Sequence, residues 1–157
     1  MRIGKASAVR VAAFLLVGLC AFSGARAQSG AGAAELQLYA AVNRGRRAQG
    51  LPALRWNEAL ATAARRHARV MAQRGAAEHG FAGEPGLASR VTQAGAHYAW
   101  LAENVGRGSG VDLIEAEFLR SPSHRANILD PDMDSIGVGV VEHRGQWFAV
   151  EDFSKSK

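Results

Sequence analysis

Five histidines, at positions 67, 79, 97, 124 and 143, are the residues of this 157-residue chain best suited to hold a metal or move a proton near neutral pH. None of them stands in a short ligand spacing such as HExxH, so spacing alone assigns no metal set. Acids and hydroxyls supply the other chemistry. Ser121 and Ser123 lie beside His124, and Glu103 is a candidate orienting acid, so the parts of a Ser-His-acid arrangement are present. A triad is defined by geometry, however, and no Gly-x-Ser-x-Gly elbow occurs. Residues adjacent in sequence often point apart.

These residues must be positioned by elements that the pattern of apolar residues predicts. Leu36, Tyr39, Ala40 and Val42 recur at helical spacing from Glu35 to about Gln49, and Gly50 and Pro52 end that helix. A second helix is expected from an Asn57 N-cap to about Arg74, closed by Gly75. On it Leu60, Ala64, His67 and Met71 share one face, while Arg65, Arg66, Arg69 and Gln73 share the other. His67 therefore reads as a hydrogen-bonded core histidine. His97, before a strand, and His143, at a hairpin tip, read as solvated residues.

A short helix is expected within Glu84–Gly95. Tyr98–Val105 reads as a strand with Glu103 near its end, and Gly106, Gly108 and Gly110 as a loop. Ser109-x-x-Asp112 resembles a capping box opening a third helix from Val111 to about Arg120. Pro122 disfavours helix at Ser121, which places His124 in a loop just beyond. Glu115 falls between Val111, Phe118 and Leu119 on the apolar side, unlike Glu117. A buried acid needs a partner, so Glu115 is a candidate second acid, with snorkelling at a cleft edge as the alternative. Ser135–Glu142 and Gln146–Phe153 read as strands of a hairpin turning at Arg144-Gly145. Helices first and in the middle, with strands gathered late, argue for an α+β fold with an antiparallel sheet.

The N-terminus reads as an export signal. Arg2, Lys5 and Arg10 precede an uncharged run, Val11–Phe22, and Ala25-Arg26-Ala27 supplies the cleavage pattern. That run is too short to span a bilayer. The expected organisation is a signal over residues 1–27, a flexible Gly/Ala-rich lead over 28–34 and one domain over 35–154. The single cysteine, Cys20, lies inside the signal, where Leu19 argues against lipidation. The mature chain would then have no disulfide in an oxidising compartment, so its stability must come from its core. Removing the signal strips Arg2, Lys5, Arg10 and Arg26 from the formal +5, leaving +1. That balance calls for neither nucleic acid nor an acidic membrane.

Two stretches, Leu101-Ala102-Glu103-Asn104-Val105 and Ser121-Pro122-Ser123-His124-Arg125-Ala126-Asn127-Ile128-Leu129, spaced behind His79, resemble the CAP superfamily. It is named for cysteine-rich secretory proteins, antigen 5 and plant pathogenesis-related proteins, and it has a cysteine-free bacterial branch. Leu54-Arg55-Trp56-Asn57 and Ala64–Met71 match it further. The resemblance, over roughly Glu35–Phe153, implies a three-layer α-β-α sandwich whose cleft is lined by His79, Glu103 and His124. It implies that His79 and His124 hold a divalent cation such as zinc, weakly and at partial occupancy, since two imidazoles make an open, pH-dependent site. Glu103 would accept a hydrogen bond from an imidazole or a metal-bound water. Many eukaryotic members carry a second glutamate three residues after an aromatic. Here Phe118 is that aromatic and Ser121 stands in the glutamate's place, leaving Glu115 and Ser121 as lesser cleft members.

Three functions fit these residues. The first is a secreted monomeric binding module taking a small ligand, lipid or peptide. The second is a hydrolase, a peptidase or esterase, metal-assisted on His79, His124 and Glu103 or of Ser-His type, acting in the envelope or outside the cell. The third is a partner of a cell-envelope component with an inert cleft. With no oxyanion stabiliser or third zinc ligand identifiable, binding is favoured over catalysis. Periplasm and medium both remain open as destinations.

Overall fold

The computed structural model describes the backbone of residues 25–157 and the side chains of residues 32–157. Its centre is the hairpin of β3 (Ser135–His143) and β4 (Gln146–Lys155). Arg144 and Gly145 turn it at φ 53° and 75°. Positive φ at both positions matches the twist of the flanking strands. β2 (Trp100–Gly108) pairs antiparallel to β4, and the two-residue β1 (Arg55–Trp56) pairs parallel to β3, giving the order β1-β3-β4-β2.

Side chains alternate across this sheet, and each face carries helices. One face presents Ile136, Val138, Val140, Ala149 and Phe153 to α1 (Ala25–Ala48), α4 (Val111–Arg120) and α5 (Pro122–Ile128). The other presents Val105, Phe148 and Val150 to α2 (Glu58–Arg74), on whose flank α3 (Leu87–Gln93) packs. The fold is the expected mixed α/β three-layer sandwich. Its tightest seam lies under α2. A Cβ on Gly137 would stand 2.0 Å from the nitrogen of Ala61, and one on Gly139 2.3 Å from the carbonyl carbon of Ala64. Only glycine lets helix backbone rest on strand backbone there.

α2 starts and stops as its sequence predicts. Asn57 Oδ1 accepts from the amides of Ala59 and Leu60 at 3.0 and 3.1 Å, and Gly75 closes the helix at φ 66°. Four other expectations are corrected. α1 begins at Ala25, ten residues before the expected start at Glu35; alanine favours helix, and Ala34 already packs in the core. The expected signal lies outside the described residues as far as Gly24.

β2 runs through Gly106 and Gly108, which pair with Ala149 and Trp147, so Glu103 sits inside the strand. The reason lies across the layer: a Cβ on Gly106 would stand 2.8 Å from the Phe118 ring. The N-cap of α4 is Gly110, one residue beyond Ser109, and no side chain caps it. Finally, His124 lies on α5. Pro122 ends α4 and also begins α5, since proline is preorganised for a first helical turn.

Arg46 secures the α5 end of the sandwich. It is fully buried and donates to the carbonyls of Pro52, Ile128, Asp130 and Met133 at 2.8–3.3 Å.

Candidate functional site

The loop after α2 carries His79, and the core histidine of α2 holds that loop. His67 is fully buried, with Nδ1 2.7 Å from Glu84 Oε1 and Nε2 2.8 Å from the carbonyl of Glu78. Both partners are acceptors, so a proton sits on each of these two axes.

Glu103 projects from β2 toward the α2/α3 layer and is nearly buried. Its Oε1 lies 2.9 Å from His79 Nδ1, and its Oε2 accepts from Arg90 Nη2. Arg90, on the inner side of α3, also donates to the carbonyls of His79 and Pro85 at 3.2 and 3.1 Å. One guanidinium thus fixes both the acid and the loop that brings the imidazole to it. A carboxylate acceptor at Nδ1 places the hydrogen there and leaves Nε2 of His79 as the lone-pair nitrogen. That ring is 64% exposed, and Nε2 makes no hydrogen bond among the described residues.

Asp152 completes this cluster from below. It is the cross-strand partner of Glu103, on the same face and fully buried. Burial and then the Glu103 charge push its carboxyl well above the usual range, Arg90 only partly opposing them. Both Asp152 oxygens are sealed from solvent without a hydrogen-bond partner among the described residues, which favours the neutral form of this acid.

His124 stands on α5, in the other helical layer. Its ring meets Phe118 edge-on, with centroids 4.9 Å apart. Burial depresses its pKa, and proximity to His79 depresses it further. α5 is fastened to β2 by two amides. Asn104 Nδ2 donates to the His124 carbonyl at 3.2 Å, while Asn127 Nδ2 donates to Asn104 Oδ1 at 2.9 Å and to the Glu103 carbonyl at 3.2 Å.

The two lesser candidates fall elsewhere. Glu115 is buried, as its helical position predicts, but it lies on the α4/α5 side of the sheet against Glu151, away from Glu103. Ser121 Oγ meets Ser123 Oγ at 3.1 Å, and neither hydroxyl bonds His124. His97 and His143 are exposed. A depression of about 270 Å³ between the end of α2 and the hairpin tip, lined by Arg74, His143, Arg144 and Phe148 among others, includes none of the cleft residues.

Arg90 and Asp152 were missed in the sequence. Arg90 shares a helical face with Leu87 and Val91, which was a readable sign of burial. Asp152 interrupts an apolar strand beside Glu151, but only the register with β2 reveals which acid faces Glu103.

Among the described residues, no three His, Cys, Asp or Glu side chains are grouped to hold a metal. Glu103 is already spent on Arg90 and His79, so it is not free to close a metal shell.

A three-layer sandwich carrying a His-Glu pair at the edge strand defines a class of protein, and comparison names it. Residues 39–153 match the family model for CAP, the cysteine-rich secretory protein family, and the chain belongs to that family. It is 29% identical over 123 residues to an uncharacterised Bacillus subtilis (strain 168) protein, YkwD, covering 77% of this chain and 48% of that protein. The chain thus spans about half the length of that curated relative. Its fold is similar to an extracellular SCP-domain protein of Bacillus anthracis, with a TM-score of 0.76 at 22% identity, covering 86% of this chain and 44% of the other. It also resembles an outer surface protein of Borrelia burgdorferi, with a TM-score of 0.73 at 21% identity over 80% of this chain and 94% of the other. No helix among the described residues is long and apolar enough to cross a membrane.

Proposed function

We propose that this is an exported CAP domain whose cleft binds a small ligand, lipid or peptide through His79 and His124, with a weakly held divalent cation such as zinc bridging the two imidazoles. The observation that carries the reading is the outward Nε2 of His79, fixed from behind by Glu103 and Arg90. A ligating histidine characteristically has its other nitrogen held in this way. The basic-apolar N-terminus and the extracellular and outer-surface relatives support export.

Binding is preferred to hydrolysis because no serine hydroxyl bonds His124 and the one cleft acid is occupied. The test is metal analysis of the purified chain beside a His79→Ala/His124→Ala double variant, with thermal denaturation across zinc concentrations. Zinc should raise the Tm of the native chain at neutral pH and lose that effect toward acid, as the imidazoles protonate. An equal rise in the double variant assigns the effect to another site and overturns the reading.

A further inference from the structure

On the α4/α5 side of the sheet two acids meet where no cation is built in. Glu151 is fully buried on β4, and Glu115 reaches it from the inner face of α4 at 6% exposure. Both oxygens of Glu115 and Oε1 of Glu151 are sealed from solvent with no donor supplied by the surroundings. The fourth oxygen, Glu151 Oε2, accepts from Asn104 Nδ2 at 3.0 Å. The groups facing the pair are few. β2 supplies the Asn104 amide, and α1 supplies only Arg44, whose residue is exposed. β3 contributes the apolar Val138, and the His124 ring of α5 is turned onto Phe118.

Two carboxylates in this setting cannot both be charged at modest cost, because neither solvent nor an internal cation offsets them. A proton held between them supplies the missing hydrogen bond. Burial lifts Glu115 to about 7, and burial and then the Glu115 charge hold Glu151 well above the usual carboxylate range.

We propose that Glu115 and Glu151 share a proton that seats α4 and α5 on the sheet, and that losing it shifts His124, making the cleft responsive to pH from outside the cleft. Asn104 is the link, since the same Nδ2 bridges Glu151 and the His124 carbonyl. A second link is covalent and aromatic. α4 passes into α5 through Ser121 alone, and Phe118 of α4 carries the His124 ring. Full ionisation sets Glu115 against Glu151, drives α4 outward toward Arg44 and solvent, and moves α5 with it. This regulates the site proposed above, but the pair's own titration does not depend on what that site binds.

The experiment is NMR of the purified chain from pH 4.5 to 8.5, following side-chain carboxyl carbons, the Asn104 amide and the histidine rings. Glu115→Gln and Glu151→Gln are measured in parallel, with denaturant stability at each pH. In the native chain one carboxyl carbon of the pair should titrate near 7, and the Asn104 amide and His124 ring should each show a step at that pH. The step near 7 should vanish in Glu115→Gln, leaving only the ring's own protonation at lower pH. Relative to that variant, the native folding constant should fall by up to about tenfold per pH unit as pH rises from about 4.5 to 7, then level off. The sign follows from linkage: a carboxyl raised in the folded state gives stability at low pH that is lost as pH climbs through the folded value. Ordinary titration of both carboxyls near 4.5 overturns the shared proton. Titration near 7 without movement of Asn104 or His124 overturns the coupling. Failure of the cleft to bind zinc or any ligand leaves both results standing, so the two proposals fail separately.

Discussion

Adjacent residues of β4, Glu151 and Asp152, put an acid on each face of the same strand, and the two faces treat it differently. On the α2/α3 side, Asp152 lies under Glu103, whose carboxylate meets Arg90 and then an exposed imidazole. On the α4/α5 side, Glu151 meets Glu115 and an amide, with Arg44 only at the periphery. Both are buried carboxyl pairs. One holds its upper acid, Glu103, to an internal cation and an exposed imidazole; the other has neither. A charge kept inside a protein needs a resident partner, and Arg90 is what makes Glu103 an acceptor for His79 while Glu115 remains a closed acid.

The largest way to break this contrast is to remove the cation. Arg90→Met should take the cation from Glu103, leaving it only His79, and free the carbonyls of His79 and Pro85. A loss of about 3–5 kcal/mol is expected, the usual cost of breaking a buried pair from one side. Urea denaturation at pH 7 measures it. A change below about 1 kcal/mol would show that Arg90 is not what holds Glu103 and the His79 loop together.

Removing one acid from the closed pair should have the opposite sign. Glu115→Gln supplies a donor to Glu151 without a charge, so above pH 7 it should stabilise by about 1–3 kcal/mol, with the advantage disappearing near pH 4.5. Denaturation at pH 8 and pH 4.5 gives both numbers. A destabilised variant at pH 8 would mean that Glu115 pairs with Arg44 strongly enough to stay charged.

The amide latch comes next. Asn127→Ala should cost about 1–2 kcal/mol, because it removes two hydrogen bonds and leaves Asn104 Oδ1 without its donor. It should also loosen α5 specifically, read as faster hydrogen exchange in residues 122–128 than in α2. Uniform acceleration across the chain would refute a local latch.

The parts of this arrangement that were legible in sequence are those decided locally. Asn57 and Gly75 bound α2 because a cap is satisfied within one turn, and Arg144-Gly145 turns the hairpin for a similar reason. His67 could be placed in the core from helical spacing alone. Where a residue answers to a partner across a layer, the sequence misled. Gly106 and Gly108 look like loop residues until Phe118 and Ile114 are seen above them. Pro122 looks like a stop because its effect on the preceding residue is local, whereas its role as the first residue of α5 needs the continuing backbone. The cleft followed the same rule. Motif resemblance singled out His79, Glu103 and His124, but Arg90 and Asp152 act through a helix face and a strand register that no short motif records.

The smallest expected effect is the pH response of His124, and the closed pair conceals it. Burial and His79 lower the His124 pKa, so the native state binds its proton less readily than the unfolded chain. Stability from neutral His124 is therefore present above about pH 6.5 and is lost as pH falls through the depressed folded value. Glu115 acts with the opposite sign in an overlapping window, losing stability as pH rises toward about 7. The native profile between these limits should be flatter than either contribution. In Glu115→Gln the His124 slope should emerge, with stability falling toward acid, and in a Glu115→Gln/His124→Gln double variant that added slope should be gone. Chemical denaturation from pH 5 to 8 on the three proteins separates the terms, since every other titrating group is common to the comparison. If His124→Gln leaves the slope of the Glu115→Gln background intact, the acid sensitivity belongs to another group, and burial of the His124 ring does not depress its proton affinity.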